Sequence, residues 1–260
     1  VAEPSPLASM TSPAGPADPP RVLVWTWAKA VLWLAVAAAI AQGIPWLRAN
    51  LAGVAAFVFI ALPDGRLRVR HEGWDRYGFP WDGLADRRTW RAWGRGVRDG
   101  LLVCAVIFPP FAAAFWGYSV LLPHLPAGLS SALAPYGGTP RLALRLPPDL
   151  AVRAAVQVLV VALPEELFYR GWMQTSWARS APGAGVRILG ARLGPGFLWT
   201  QVLFAVGHLP ANPVPWRLAT FFPGLLFGWV RERTGGLVAP IVVHALSNLF
   251  IATLEASFYR

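Results

Sequence analysis

Apolar residues in this chain come in long runs separated by short polar stretches, the pattern of helices that meet lipid rather than water. The first run spans about Val22 to Ala41, close to the ~20 residues that cross ~30 Å of hydrocarbon. A turn holding Gly43 and Pro45 leads to a second, from about Trp46 to Leu62. The third covers Gly100 to Leu122, and the fourth starts near Asp149 and passes through Val156 to Leu163 into polar residues. The fifth spans Gly196 to Leu209, the sixth about Val214 to Val230, and the seventh Leu237 to Leu254. The fifth is short for a full crossing. This pattern predicts an all-α fold, a polytopic transmembrane helical bundle of about seven helices. The C-terminal four are expected to form a conical or cavity-forming core.

The stretches between the runs set the domain limits. Residues 1–20 carry six Pro with Ala, Ser and Gly and no apolar periodicity, which predicts a disordered tail. No basic segment precedes the first run in the manner of a signal peptide, so that run is expected to stay as a helix. Asp64 to Arg98 is Arg-rich with Trp74, Trp81, Trp90 and Trp93 interleaved, a loop or interfacial helix on the membrane surface. From Leu122 to Pro148 the chain is rich in Pro, Gly and Ser and is expected to be irregular. The predicted organisation is a tail at 1–20, N-terminal membrane helices with a basic loop at 21–147, and a C-terminal transmembrane core at 148–255.

Composition supports the membrane class. Hydrophobic residues make up 55% and charged residues 14%, against a usual charged share of about 25%. Mean hydropathy is +0.46. The formal charge of +10 does not point to nucleic acid, because the Arg residues sit between apolar runs rather than along one polar face. The single cysteine, Cys104, lies in an apolar run, which excludes an intrachain disulfide and reads as helix packing. Seven alternating spans with the N-terminus in the cytoplasm put Arg66 to Arg95, Arg179, Arg187, Arg192, Arg231 and Arg233 on the cytoplasmic side. Only Arg48, Arg141, Arg145, Arg217 and Arg260 fall opposite, as the positive-inside rule requires. A composition rich in Ala, Arg, Gly and Pro suggests a bacterial plasma membrane.

Ionisable groups at membrane depth mark function by default. Glu165 and Glu166 end a long apolar run, and Arg170 lies four residues after Glu166, where an ion pair can form on one helical face. Glu165 points about 100° away and is left available. Two of the chain's four His, His208 and His244, occur in separate apolar runs, and Asn248 shares a face with His244. Taken singly, each has a structural reading: a polar helix end, a packed imidazole, an interhelical amide. Together they supply what amide hydrolysis needs: a carboxylate to take a proton from water, an imidazole to orient that water, and neutral donors for the oxyanion. Two His and one Glu also suit catalytic zinc, with Glu165, His208 and His244 as ligands, although no HExxH motif is present. His71 and His124 sit in loops, and Glu255 lies at the far end of the seventh run.

EExxxR at Glu165 to Arg170, FxxxH at Phe204 to His208 and HxxxN at His244 to Asn248 occur in this order, each on an apolar segment. In this they resemble the CPBP group of intramembrane endopeptidases, which includes the Ras-converting CAAX proteases and bacterial bacteriocin-processing and immunity relatives. The resemblance covers roughly residues 150 to 254. It implies that Glu165 is a general base assisted by His208, that His244 and Asn248 form the oxyanion site, and that Glu166 and Arg170 are a supporting pair. It also implies a glutamate-dependent, metal-free mechanism and a membrane-anchored or lipidated protein or peptide substrate met in membrane lipid. Prenylated C-terminal tails, bacteriocin leaders and C-terminal sorting anchors all suit that description. A noncatalytic scaffold or immunity protein and a proton-coupled transporter are the rival functions. One geometric difficulty stands. At ~1.5 Å per residue Glu165 lies ~24 Å from Asp149 and His208 ~18 Å from Gly196 at the opposite side, so straight spans leave them at different depths.

Overall fold

The computed structural model describes residues 17–81, 83–133, 142–182, 185–210 and 214–259. The expected disordered tail lies outside them for residues 1–16, as does the 134–141 part of the irregular connection. From residue 17 onward the chain is packed: Asp18 is buried, forms an ion pair with Arg66 and accepts a hydrogen bond from Trp172 Nε1 at 3.3 Å.

Helix α1 (Pro20–Ala41) starts with proline at its first turn, where the missing N–H has no helical partner to lose. α2 (Pro45–Ala49) and α3 (Leu51–Val69) follow. α4 (Arg87–Leu121) is capped by the Asp86 carboxylate, which accepts from the Arg88 N–H at 2.7 Å. A short α5 (Ala127–Leu133) precedes the element that carries the buried acids. There, Leu150–Val156, Gln157–Ala162, Leu163–Glu166, Leu167–Gln174 and Thr175–Ser180 follow one another without a break, so α6 covers 150–180. α7 (Pro195–Gly207), α8 (Phe221–Thr234) and α9 (Val238–Phe258) complete the chain. Gly235, at φ +70°, ends α8 by returning its N–H to the Arg231 carbonyl at 2.9 Å.

Contacts between helix ends fix the topology. The start of α1 meets the end of α3 through Asp18 and Arg66, and the end of α6 through Ser180 Oγ donating to the Asp18 carbonyl at 3.3 Å. Arg231, at the end of α8, donates to the Tyr77 carbonyl at 3.1 Å, and the Leu237 N–H before α9 donates to the Gly78 carbonyl at 2.8 Å. At the opposite end, Tyr259 OH beyond α9 donates to Ser119 Oγ of α4 at 3.0 Å. Successive long helices therefore alternate in direction. α4 and α9 lie close because Gly96 and Gly100 of α4 face α9: a Cβ at Gly100 would stand 2.9 Å from the Ala239 carbonyl oxygen.

The helical expectation holds, with instructive differences. α1, the 87–124 helix and α9 are long and apolar enough to cross a membrane. α3 and α6 also run between the two ends, but Asp64, Arg66 and Arg68 on one and Glu165, Glu166 and Arg170 on the other interrupt their apolarity. α7 and α8, at 13 and 14 residues, reach roughly 20 Å, short of ~30 Å of hydrocarbon. The seven expected spans thus become, among the described residues, five end-to-end helices and a half-length pair, the short fifth run among them. α4 begins at Arg87, so part of the Arg- and Trp-rich stretch is the helix's own extension. An unforeseen hairpin, β1 (Val186–Ile188) and β2 (Ala191–Leu193), turns through Leu189 and Gly190, both at positive φ. Trp229 Nε1 pins it to α8 by donating to the Ile188 carbonyl at 3.0 Å.

The outer surface is apolar, with Phe57 69% and Val106 70% exposed, while polar side chains such as Glu166, Arg170 and Gln201 are at 0%. This inversion of a water-soluble protein fits lipid as the surrounding solvent. The fold is thus an integral membrane helical bundle.

Outside the membrane-spanning segments, at the Arg-rich end, Glu72 accepts from Tyr77 OH and from Arg70 Nε at 3.1 Å, with Arg179 at 3.6 Å. Burial alone would raise its carboxyl. The hydrogen bonds from Tyr77 and Arg70 and the charges of Arg70 and Arg179 outweigh burial and hold it below the ordinary carboxylate value. A carboxyl depressed on folding stabilises above its unfolded value and loses that contribution as pH falls through its folded value. Thermal unfolding in detergent is therefore expected to shift to lower temperature on acidification below about pH 4.5, and Glu72→Gln should flatten that part of the profile. An unchanged profile in the variant would remove Glu72 from the account.

Candidate active site

The site lies where α6, α7, α8 and α9 meet, and α6 supplies its acids. Glu166 is wholly buried, and its Oε1 accepts from Arg170 Nη1 at 2.9 Å and from His244 Nδ1 at 2.8 Å. The ion pair that the i,i+4 spacing predicts is therefore present. Arg170 directs Nη2 to Gln201 Oε1 at 2.8 Å and to the Gly224 carbonyl at 3.2 Å. Its guanidinium lies 4.2 Å from the centre of the Phe204 ring and 5.3 Å from that of Phe227. A buried charge is tolerable only with partners on most of its polar atoms and a polarisable wall around it, and Arg170 has both.

Glu165, on the neighbouring helical step, is placed differently. Its side chain is 16% exposed, and Oε2 stands 3.8 Å from His244 Nε2, buried and without a hydrogen-bond partner among the described residues. The two carboxylates thus bracket one imidazole, with Nδ1 on Glu166 and Nε2 facing Glu165. Phe227 stacks on that ring at 4.6 Å and 17°, and Phe204 meets it edge-on at 6.1 Å. These contacts leave little freedom to the His244 side chain.

His208 follows the last residue of α7. Its Nδ1 is 2.7 Å from the Phe204 carbonyl oxygen. A carbonyl oxygen only accepts, so Nδ1 carries the proton and Nε2 is left as an acceptor. The Phe204 ring separates the two imidazoles, at 4.7 Å from His208 and 6.1 Å from His244. Among the described residues no hydrogen bond or ion pair joins His208 to Glu165, Glu166 or His244. Asn248, one turn after His244, donates Nδ2 to Gln157 Oε1 at 2.8 Å.

The continuation of α6 removes the depth difficulty. Glu165 lies roughly 22 Å short of Ser180, and His208 roughly 20 Å from Pro195, at about 1.5 Å per residue. The two helix ends adjoin, since a Cβ at Gly196 would press on Trp177 at 2.5 Å. Measured from this common end, Glu165 and His208 stand at similar depth. The sequence pattern made Glu165 and Glu166 the end of the apolar run, and the two depths were measured from opposite sides.

Residues the motifs do not include complete the arrangement. Gln201 Nε2 donates to Gln174 Oε1 at 3.1 Å, and Gln174 Nε2 donates to Glu232 Oε1 at 2.8 Å. A hydrogen-bonded chain thus runs from His244 through Glu166, Arg170 and the two glutamines to the Arg-rich end. A usable signal was present: Gln157, Gln174 and Gln201 are amides within helices otherwise rich in apolar residues, where each must find a partner. Among the described residues no three His, Cys, Asp or Glu side chains gather as a metal set.

No curated protein and no solved structure matches the chain. Residues 147–250 match the family model described as type II CAAX prenyl endopeptidase Rce1-like, which bears out the resemblance carried by the three motifs and supports an intramembrane protease.

Proposed function

We propose that this protein hydrolyses a peptide bond in a membrane-anchored or lipidated protein or peptide, with Glu165 as the general base. The observation that carries the reading is the contrast between the two acids. Each acid keeps a buried Oε2 without a hydrogen-bond partner among the described residues, but Glu166 is wholly buried with its Oε1 bound by both Arg170 and His244, while the Glu165 side chain is 16% exposed and its ion-pair contact among the described residues is His244 at 3.8 Å. A general base must be reachable by water and not already paired with a fixed cation, and of the two acids Glu165 is the one that meets both conditions. In the proposed reaction, water between Glu165 and the acceptor Nε2 of His208 loses a proton to Glu165 as its oxygen attacks the scissile carbonyl. Asn248 donates to the oxyanion, and His244 does so from Nε2 with both ring nitrogens protonated, since Nδ1–H is already held by Glu166; Glu165 returns its proton to the leaving amine. Glu166 and Arg170 keep their supporting role and hold His244 by its Nδ1.

The proposal puts the Arg-rich end, and with it the N-terminus, in the cytoplasm of a bacterial cell, because cytoplasmic loops carry the excess of Arg. The substrate class is a C-terminal lipidated tail or sorting anchor. The test uses purified protein in detergent and an internally quenched, farnesylated peptide ending in a CAAX sequence, beside an unlipidated control. We expect cleavage of the lipidated peptide that chelators leave unchanged, with no stoichiometric zinc in the preparation. Stoichiometric zinc together with chelator-sensitive cleavage would instead make Glu165, His208 and His244 metal ligands.

A further inference from the structure

We infer that Gln157 is a positioning residue that sets the orientation of Asn248 for the oxyanion, an inference that rests on the reading of Asn248 given above. Gln157 lies outside all three motifs, eight residues before Glu165 on α6, and its Oε1 accepts the Asn248 Nδ2 hydrogen at 2.8 Å. A primary amide is planar, so holding one Nδ2–H fixes the line of the other. The second hydrogen, for which the structure shows no acceptor among the described residues, is thereby aimed rather than left to rotate.

The backbone explains why Gln157 is in reach. In a regular α-helix a residue eight positions before Glu165 is turned about 80° off its face. Gln157–Ala162 is instead wound in wider π turns, which rotate the chain by less per residue and bring those eight residues closer to two whole turns. Gln157 and Glu165 then both face α9, one meeting Asn248 and the other His244, which are themselves one turn apart. The π turns thus register the base-bearing helix against the helix that carries the oxyanion donors. An amide in this apolar stretch is costly unless it is hydrogen-bonded, and Asn248 is the partner it has.

Selective ¹⁵N-asparagine labelling tests this directly, because Asn50, Asn212 and Asn248 are the chain's asparagines and Asn248→Ala assigns its own side-chain signal. Gln157→Met keeps length but removes the acceptor, and Gln157→Glu keeps an acceptor oxygen. The Asn248 amide signal should move in Gln157→Met and return toward the parent position in Gln157→Glu. With the farnesylated quenched peptide, Gln157→Met should lower kcat about 10-fold with KM within about 2-fold, and should add less than about 2-fold on top of Asn248→Ala. An unmoved signal, or a loss as large in the Asn248→Ala background as in the parent, overturns the inference. A moved signal with Asn248→Ala turning over at the parental rate overturns the oxyanion reading instead and leaves the contact standing.

Discussion

Glu165→Gln is expected to abolish peptide cleavage, with kcat/KM reduced by about 10³-fold or more, while the protein stays folded. General base catalysis contributes about 10² to 10⁴ in rate, and glutamine matches glutamate in size but cannot take a proton at neutral pH. Stability should hold because the fold makes little use of the Glu165 charge: among the described residues its Oε2 is buried without a hydrogen-bond partner, and its ion-pair contact, to His244 Nε2, is at 3.8 Å. Removing a desolvated charge that lacks a close partner costs little and can stabilise. The measurement pairs cleavage of the farnesylated quenched peptide with thermal unfolding of the same preparation. Parental cleavage by the variant would sink the general-base assignment, whatever the state of the rest of the site. Glu166→Gln makes the contrast. It should lose both activity and stability, because Arg170 and His244 both depend on that carboxylate.

How far the sequence led can be judged from particular helices. α7 and α9 begin within a residue of the apolar runs that predict them, because hydropathy reports contact with lipid and these two helices are apolar almost throughout. α6 is the opposite case. Its second half buries Glu166, Arg170 and Gln174 inside the bundle, so its polar residues mark an interior face rather than an end. A hydropathy scan stops there, and with it went the correct depth for Glu165. The turn of the 186–193 hairpin is Leu-Gly, weaker than the Asn-Gly or Asp-Gly signals that make such turns legible.

The site was legible to the same degree. The Glu166–Arg170 pair follows from spacing within one helix, which α-helical geometry nearly fixes. The meeting of His244 with both glutamates depends on the rotation of α9 against α6, and no local pattern encodes that rotation. Two π segments, Gln157–Ala162 and Leu167–Gln174, flank the acidic pair and change the facing of everything beyond them. π turns are rare and frequent at functional sites, and their position here is a property of the packed bundle. The glutamines belong with them: each could be seen as an amide in need of a partner, but which partner only the packing decides.

Arg170→Ala is expected to be the most destabilising single substitution in the core. The side chain is at 0% exposure and serves Glu166, Gln201 and the Gly224 carbonyl at once, between the rings of Phe204 and Phe227. Truncation leaves the Glu166 carboxylate buried with His244 alone, orphans the Gln201 and Gly224 acceptors, and opens a void against two aromatic rings. Breaking a buried pair by removing one partner costs about 3–5 kcal/mol, enough to remove much of the margin of a typical fold. We therefore expect Arg170→Ala to accumulate poorly and, where it can be purified, to unfold at markedly lower temperature than the parent protein. Arg170→Lys keeps the charge but cannot reach Glu166, Gln201 and Gly224 with one planar fork, so it should fall between. The discriminating variant is the double substitution Glu166→Gln with Arg170→Met, which removes both charges and refills the space. It should recover part of the thermal stability lost in Arg170→Ala, since a neutral, well-packed interior replaces an uncompensated carboxylate. It should not recover cleavage, because His244 then lacks the carboxylate that holds its Nδ1. If the double variant proves no more stable than Arg170→Ala, the cost lies in packing around the guanidinium rather than in the stranded charge, and the electrostatic account of this pair is wrong.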